Sequence, residues 1–352
     1  MELIATVALK PGMIVAEDTT DYKGNLLVEE DTVLDKLIIQ KLLISSVKCV
    51  NIKKSNINKL DYYEKIGNGK AFKRFETLYK TSFNSYKAII DSFIYKKIIP
   101  DNEYILKIVD NIFLPFEKNV TSLMDMLKIQ MDTYYDPLYT NSLNVALLCK
   151  YTGKCFLLNH EEINLLTLCA FYYDIGKFKL QRELVQKETG LTKEERSLLM
   201  TIPVHSYNII QNLPMDINIK LAALMYKERF DGKGYPQRLP AARINKFAGI
   251  ISILDQYEKI TSYKPGKEPL SPFAVIEMLE EKSGSHFNPA YSLPFMERIA
   301  EEYVGKECQL NNGLEYTIVM INKDTITRPM LKRENTYTDL SKDSTLKIIK
   351  LL

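Results

Sequence analysis

The segment Tyr226-Lys-Glu-Arg-Phe-Asp-Gly-Lys-Gly-Tyr-Pro236 constrains the fold of this chain more than any other stretch. Gly232, Gly234 and Pro236 follow one another closely and predict a tightly shaped loop. Asp231 at the start of this loop is expected to cap or pair within it. Because the surrounding region is helical by pattern, the segment is predicted to be a structured loop between helices.

Composition narrows the class of protein. The chain has 352 residues, 46% hydrophobic and 26% charged, which is typical of a globular protein of two or three domains. Its net charge of +3 gives no strong attraction to nucleic acid, so no nucleic-acid partner is expected. No stretch approaches 18 uncharged apolar residues and the start lacks a signal-peptide pattern, so we expect a cytoplasmic protein without membrane insertion. The five cysteines are scattered, which favours reduced thiols over a disulfide framework or a zinc site.

Four regions differ in their pattern, and the fold is predicted to be mainly α. Residues 1–55 are predicted to be a small β-rich module with a helix near 35–43, and residues 56–130 a helical connector. The connector's amphipathic helices suit either a layer over the main core or the surface of a homodimer. Residues 131–305 are helical, and residues 306–352 form a β-rich appendage with short runs at 308–310, 316–321, 330–332 and 346–351.

Two local signals are specific within the helical region. Thr192 followed by Glu195 predicts a capping box at the start of a helix. His160 precedes another helical pattern and is expected to be exposed.

Five motifs in 131–305 occur in the order of a known family. They are Tyr139-Thr-Asn-Ser-Leu-Asn-Val-Ala146, Tyr173-Asp-Ile-Gly-Lys177, the helix that carries His205, Tyr226 to Pro236, and Ile253-Leu-Asp-Gln-Tyr-Glu258. In this order they resemble the HD-GYP family, bacterial phosphodiesterases that hydrolyse cyclic di-GMP at a cluster of two or three metals. The resemblance implies an HD-superfamily helical domain over 131–305, and a tail similar to the small β-barrel often found behind HD-GYP domains.

Most of the positions that bind metal in this family carry other residues here. Four family histidines are replaced, by Asn141, Tyr173, Tyr226 and Lys227. The resemblance leaves three ligand positions intact, at Asp174, His205 and Asp255. With only three histidines in the chain, no metal cofactor and no catalytic residue are expected. The alternative is one divalent iron or manganese ion held by the three retained residues.

Replacement of the metal ligands predicts a rearranged pocket. Without a metal, Asp174 and Asp255 would be two nearby anions, which is costly when they are buried. Lys177 and Lys227 are predicted to supply the missing positive charge. The side chains of Tyr173 and Tyr226 are expected to fill the emptied volume.

The residues on the substrate side also differ from the family's. Lys177, Arg229, Lys264 and Lys267 are candidates for contact with phosphate groups. Lysine keeps the charge of the family's arginines but loses their bidentate geometry. Gly249 stands where the family has a further arginine. The resemblance also implies that His286 is a structural hydrogen-bonding residue.

Three functions are consistent with this sequence. The first is a catalytically inactive regulator or interaction module of cyclic-dinucleotide signalling. Its loop residues Gly232, Gly234, Tyr235 and Pro236 would dock diguanylate cyclases or other signalling proteins. The second is a cyclic di-GMP phosphodiesterase with a reduced, mononuclear site. The third is a receptor that binds cyclic di-GMP without cleaving it.

Overall fold

The computed structural model describes residues 2–9, 13–30, 32, 34, 36–53, 62–116, 123–129, 131, 136–187, 189–263 and 270–352. The chain forms two compact units, Met1–Leu60 and Asp61–Leu352. The predicted boundaries at 55/56, 130/131 and 305/306 divide the chain more finely and stay predictions.

The first unit is a small α/β module. Its elements are β1 (Glu2–Ala5), β2 (Thr19–Thr20), β3 (Leu26–Val28), α1 (Lys36–Ile44) and β4 (Cys49–Ile52). Strand β1 pairs antiparallel with β4, and β2 pairs antiparallel with β3. Val15, Leu42 and Val50 are buried in its core. The predicted β-rich module with one helix is therefore confirmed.

The second unit is mainly helical. Its helices are α2 (Tyr62–Gly67), α3 (Lys70–Lys96), α4 (Asn102–Phe113), α5 (Leu123–Met126), α6 (Pro137–Thr152), α7 (His160–Tyr172), α8 (Arg182–Gln186), α9 (Lys193–Leu199), α10 (Ile202–Ile210), α11 (Ile217–Met225), α12 (Lys246–Thr261), α13 (Pro272–Glu280) and α14 (Pro289–Glu301). Helix α3 buries one stripe that includes Phe75, Tyr79, Phe83 and Tyr86, which is the three- and four-residue spacing of an amphipathic helix. None of the described helices combines the length and apolar character needed to cross a membrane.

Helices α6, α7 and α12 form the centre of this unit. Helix α6 packs on both α7 and α12, and α11 packs on α7 and α12. Most residues of these central helices are buried, and residues 142–150 of α6 are all buried. Side-chain caps fix several helix starts, and the capping box predicted at Thr192 and Glu195 is present. His160 begins α7 and is exposed, as predicted.

The chain ends in a five-stranded antiparallel sheet. Its strands are β5 (Glu307–Leu310), β6 (Glu315–Met320), β7 (Met330–Arg333), β8 (Thr336–Asp339) and β9 (Ile348–Leu351), in the order β8-β7-β6-β5-β9. Four of these strands coincide with the predicted runs. Strand β8 was not predicted, because its polar sequence Thr-Tyr-Thr-Asp is largely exposed and lacks an apolar run.

Candidate functional site

A tight turn after α7 positions the first predicted site residues. Asp174 precedes a 3-10 turn over Ile175–Lys179 that packs directly on α10. A side chain at Gly176 would place its Cβ 2.3 Å from the Ile202 carbonyl oxygen and 2.8 Å from His205 Cβ, so only glycine fits there. The Gly176 N–H donates to Ser206 Oγ at 2.8 Å. The turn therefore holds Asp174 and Lys177 beside the helix that carries His205.

Asp255 on α12 is a buried carboxylate with three donors. Lys227 Nζ lies 2.7 Å and Lys259 Nζ 2.9 Å from its Oδ2 atom. The Tyr173 hydroxyl donates to Oδ1 at 2.9 Å. Asp255 is only 2% exposed, so these contacts replace the hydration that an ionised carboxylate needs.

A second ion pair and two tyrosine rings in contact complete the cluster. Lys177 Nζ lies 2.5 Å from Asp174 Oδ2, and both residues are buried. The rings of Tyr173 and Tyr226 meet edge to face with their centroids 4.8 Å apart. We refer to Tyr173, Asp174, Lys177, Tyr226, Lys227, Asp255, Glu258 and Lys259 as the lysine–carboxylate cluster.

The charges of this cluster depend on one another. Burial disfavours the ionised form of Asp255, yet Lys227 and Lys259 hold the pKa of this carboxyl well below its usual range. Burial and the nearby Lys259 lower the pKa of Lys227 while Asp255 opposes both effects, and the net pKa is about 8. Asp255 outweighs burial at Lys259 and raises the pKa of that ammonium. Asp255 is thus ionised at neutral pH between two cations.

The two tyrosines are neutral groups in this environment. Burial, together with the charges of Asp174 and Asp255, raises the pKa of Tyr173 and of Tyr226 well above the ordinary value of 10. A phenol with a raised pKa keeps its proton at neutral pH, so it donates a hydrogen bond and does not act as an anionic metal ligand.

Glu258 extends the cluster into the core. Its Oε1 atom accepts from Asn144 Nδ2 at 3.1 Å, and Asn144 Oδ1 accepts from the Tyr79 hydroxyl at 2.8 Å. Burial and the charge of Asp255 raise the pKa of Glu258 while the hydrogen bond from Asn144 lowers it, and the net pKa is about 7. This buried polar chain joins α12, α6 and α3.

The predicted pocket residues come together only in part. Tyr173, Lys177, Tyr226 and Lys227 lie in the lysine–carboxylate cluster with the two aspartates. His205 lies next to Gly176, while Asn141 is half-buried on α6 and its approach to the cluster stays a prediction. Sequence reasoning missed Lys259, Glu258 and Asn144. Lys259 follows Asp255 by four residues on one helix, a spacing that could have indicated the pair.

Of the predicted phosphate-contacting residues, Lys177 is engaged by Asp174, as described above. The Arg229 guanidinium is turned toward Asp231, with Nε 3.0 Å from Oδ1 and Nη2 2.5 Å from Oδ2. The Asp231 side chain also accepts the Lys233 N–H, so it pairs within the loop as expected. Lys264 and Lys267 fall outside the described residues.

The side chain of Glu228 and a close backbone approach at Gly234 fix the loop from Glu228 to Pro236. Glu228 accepts the N–H groups of Gln237 at 2.7 Å and Leu239 at 3.0 Å. A Cβ on Gly234 would lie 2.4 Å from Glu228 Cα, so the chain passes itself too closely for any side chain there. Gly232 has a positive φ of 72°, which favours glycine. The loop geometry follows from these residues; a docking role for it stays a prediction.

The residues present do not fit a metal centre. No group of three or more His, Cys, Asp or Glu side chains arranged to hold a metal occurs among the residues that the structure describes. Both oxygens of Asp255 accept hydrogen bonds, and two ammonium groups lie within 2.9 Å of one of them. A divalent cation at this carboxylate would have to displace lysine cations that already neutralise it.

Comparisons with known proteins agree with this architecture. Residues 122–291 match the HD domain family. The chain is 29% identical over 135 residues to the cyclic di-GMP phosphodiesterase response regulator RpfG of Xanthomonas campestris, a match that covers 38% of this chain and 35% of that protein. It is 23% identical over 233 residues to a cyclic di-GMP phosphodiesterase of Pseudomonas aeruginosa, covering 66% of this chain and 56% of the relative. The matched part thus spans only a third to about half of these relatives.

A solved structure has a similar fold over most of this chain. An HDG"Y"P protein from Bdellovibrio bacteriovorus superposes with a TM-score of 0.51 at 13% identity, covering 85% of this chain and 99% of that one. At this identity the match concerns the fold alone. Residues 122–291 thus contain an HD domain, and this helical region is similar to the HD-GYP cyclic di-GMP phosphodiesterases.

Proposed function

We propose that this protein is a non-hydrolysing member of cyclic-dinucleotide signalling that acts as a regulator or interaction module. The observation that carries the proposal is the pairing of Asp255 with Lys227 and Lys259, at distances of 2.7 and 2.9 Å. Asp255 stands at a position that binds metal in the family this chain resembles, and here its carboxylate is neutralised by two lysines of the chain itself.

The chemistry of hydrolysis supports the same proposal. Metal-assisted cleavage of a phosphodiester needs an activated hydroxide and a cation that stabilises the developing phosphoryl charge. In the lysine–carboxylate cluster both tyrosine hydroxyls have raised pKa values and keep their protons, so neither supplies a base at neutral pH. We therefore favour the non-hydrolysing function over a mononuclear phosphodiesterase that uses Asp174, His205 and Asp255.

A receptor that binds cyclic di-GMP without cleaving it is favoured by one specific observation. The side chains of Lys227 and Lys259 are 26% and 45% exposed although both contact the buried Asp255. Ammonium groups that reach solvent beside a buried carboxylate can also contact a phosphate as point charges. Docking of diguanylate cyclases or other signalling proteins through Gly234, Tyr235 and Pro236 remains part of the proposal.

A turnover assay tests the proposal directly. The full chain is incubated with cyclic di-GMP and Mn²⁺ or Fe²⁺, and the linear and mononucleotide products are separated by chromatography. We expect no product above the metal-only blank. Product formation that scales with protein and disappears in both Asp174→Asn and Asp255→Asn would overturn the proposal.

Calorimetry then separates a receptor from an interaction module. If the protein binds cyclic di-GMP at the cluster, Lys259→Met should weaken binding by about tenfold, which corresponds to loss of one charge-assisted contact. Lys246→Met serves as the matched control, because Lys246 forms an exposed ion pair with Glu162 away from the cluster.

A further inference from the structure

A cavity separate from the lysine–carboxylate cluster lies beside the loop from Glu228 to Pro236. It has a volume of about 220 Å³, and its wall includes Glu228, Phe230, Gly249, His286 and Tyr291. None of the cluster residues lines it. With about 30 Å³ of liquid volume for each water, the cavity is large enough for several water molecules or one small planar group.

Backbone hydrogen bonds fix the opposing walls of this cavity. The Phe230 N–H donates to the His286 carbonyl at 3.0 Å, and the Asp231 N–H donates to the Ser285 carbonyl at 2.8 Å. A third wall comes from the start of α12, where a Cβ on Gly249 would lie 3.3 Å from the Tyr291 ring. The absence of a side chain at Gly249 therefore keeps part of the cavity open.

The helix starts at the cavity do not call for an anion. Asn245 Oδ1 accepts the N–H groups of Phe247 and Ala248 at the start of α12. Asn288 Oδ1 accepts the Ala290 N–H at the start of α14. Because these donors are capped by side chains, an anionic ligand would have to displace them.

The charge on the cavity wall is negative. Among the described residues that line the cavity, Glu228 and His286 are the acidic and basic ones, and Glu228 is 3% exposed. Each of its oxygens accepts one backbone N–H, from Gln237 and Leu239, whereas an ionised carboxylate offers about four acceptor positions. About two acceptor positions therefore remain for a ligand that carries paired N–H donors.

The neighbouring basic groups do not oppose a cation strongly. Burial, together with Arg229 and Lys282, lowers the pKa of His286, so its imidazole is mainly neutral at pH 7. The charge of Arg229 is balanced by its two contacts with Asp231. A neutral His286 also provides a ring nitrogen as an acceptor.

Aromatic rings complete the environment. Phe230, Phe287 and Tyr291 line the cavity together with Glu228. A planar cation stacks on such rings and is attracted to their faces. Guanidinium combines that planarity with N–H donors spaced for bidentate contact with a carboxylate.

We propose that this cavity is a binding site for a guanidinium group, held by Glu228 and packed between Phe230 and Tyr291. The group can be presented by an arginine side chain of a protein partner or by a free guanidino compound. The site stands apart from the proposed loss of hydrolysis, so the turnover assay does not bear on it.

The test uses a charged probe and its uncharged counterpart. Methylguanidinium and Nα-acetyl-arginine N-methylamide are titrated into the full chain by NMR or calorimetry, with the matching citrulline amide as the control. We expect saturable binding of both guanidinium probes and at least tenfold weaker binding of the citrulline probe. Tighter binding of the arginine amide than of methylguanidinium would point to a protein-borne arginine, and equal binding to a free guanidino compound.

Two variants at one position provide the structural control. Gly249→Met fills the cavity without charge, and Gly249→Arg fills it with a guanidinium attached to the chain. We expect both variants to abolish probe binding. The melting temperature of Gly249→Arg should be higher than that of Gly249→Met. Probe binding that survives in Gly249→Met, or citrulline binding as tight as that of arginine, would overturn the proposal. If Gly249→Met does not fold, Glu228→Gln tests the same contact and should weaken probe binding at least tenfold.

Discussion

At the residue scale, Asp255 is stabilised by more partners than its sequence neighbourhood suggests. Lys227 was predicted to supply positive charge, and it lies 2.7 Å from Asp255 Oδ2. Lys259 and the Tyr173 hydroxyl contact the same carboxylate, so loss of Lys227 alone does not leave the charge uncompensated. Deleting a sole partner of a buried charge costs about 3–5 kcal/mol, and a smaller loss is expected here.

This arrangement predicts that Lys227 and Lys259 compensate for each other, since either one still neutralises Asp255 when the other is removed. Lys227→Met and Lys259→Met should each lower the free energy of unfolding by about 1 kcal/mol, because both lysines remain partly exposed and screened by solvent. The double variant should lose about 3–5 kcal/mol, more than the sum of the two, because Asp255 then has no cationic partner. Urea unfolding of the four proteins at pH 7 measures this coupling.

The pH dependence of the double variant supplies a control. In the wild type the pKa of Asp255 is held low, so its stabilising contribution is present at neutral pH and is lost as the pH falls. In the double variant the two lysines no longer oppose burial, so the pKa of Asp255 rises and the carboxylate takes up a proton at higher pH. The free energy of unfolding that the double variant loses relative to the wild type should therefore become smaller as the pH is lowered. A strictly additive cycle with no change between pH 7 and pH 5 would contradict this account.

At the element scale, α12 joins two buried polar groups. Glu258 faces Asn144 and Tyr79, while Tyr257 lies near a fully buried ion pair in which Lys128 Nζ is 3.1 Å from Asp125 Oδ1. That pair also accepts the hydroxyl hydrogen bonds of Tyr62 and Tyr303, which ties α5 to α2 and to the end of α14. Consecutive residues of one helix thus anchor it to distant parts of the chain.

We expect the buried Glu258 to make the stability of the fold depend on pH, and one substitution should remove this dependence. Its pKa is raised from 4.5 to about 7 by burial, so the unfolded chain ionises first as the pH rises. Between these values the folded state holds the extra proton, and stability declines with increasing pH. Glu258→Gln keeps an amide oxygen for Asn144 and removes the titration. We expect this variant to gain up to about 3 kcal/mol at pH 8 and little at pH 4.5.

The measurement is a series of chemical unfolding curves between pH 4.5 and pH 8 for the wild type and Glu258→Gln. Glu280→Gln is a suitable control, since Glu280 is exposed near the end of α13. An equal effect of Glu258→Gln at all pH values would show that folding does not shift the pKa of this side chain.

At the scale of the whole molecule, sequence pattern predicts elements better than long-range partners. Helical spacing, the Thr192 capping box and the β-prone runs of the tail depend on neighbours a few residues apart, and these predictions are confirmed. Contacts such as Tyr79 with Asn144 or Asp125 with Tyr303 join residues 65 and 178 positions apart. Such pairs depend on how the helices pack, and a single sequence gives no direct signal for them.

The cluster illustrates the same limit. The family resemblance indicated which positions would meet, including Tyr173, Tyr226 and Lys227. It gave no indication that Glu258 would be buried beside Asp255, or that Gly249 would open a cavity at the start of α12. Both features arise from packing around α12.

The whole fold should respond to metal only when the family's ligands are restored. A metal that binds only the native state raises its stability by mass action, by about 2.7 kcal/mol at a hundredfold excess over Kd. Excess Mn²⁺ should leave the melting temperature of the wild type unchanged, because its lysines already neutralise Asp255. The quadruple variant N141H/Y173H/Y226H/K227H should gain several degrees with Mn²⁺, and adding D255N should abolish that gain. A saturable rise in the wild type, or about one metal per chain by elemental analysis, would show that Lys227 and Lys259 yield to a metal ion.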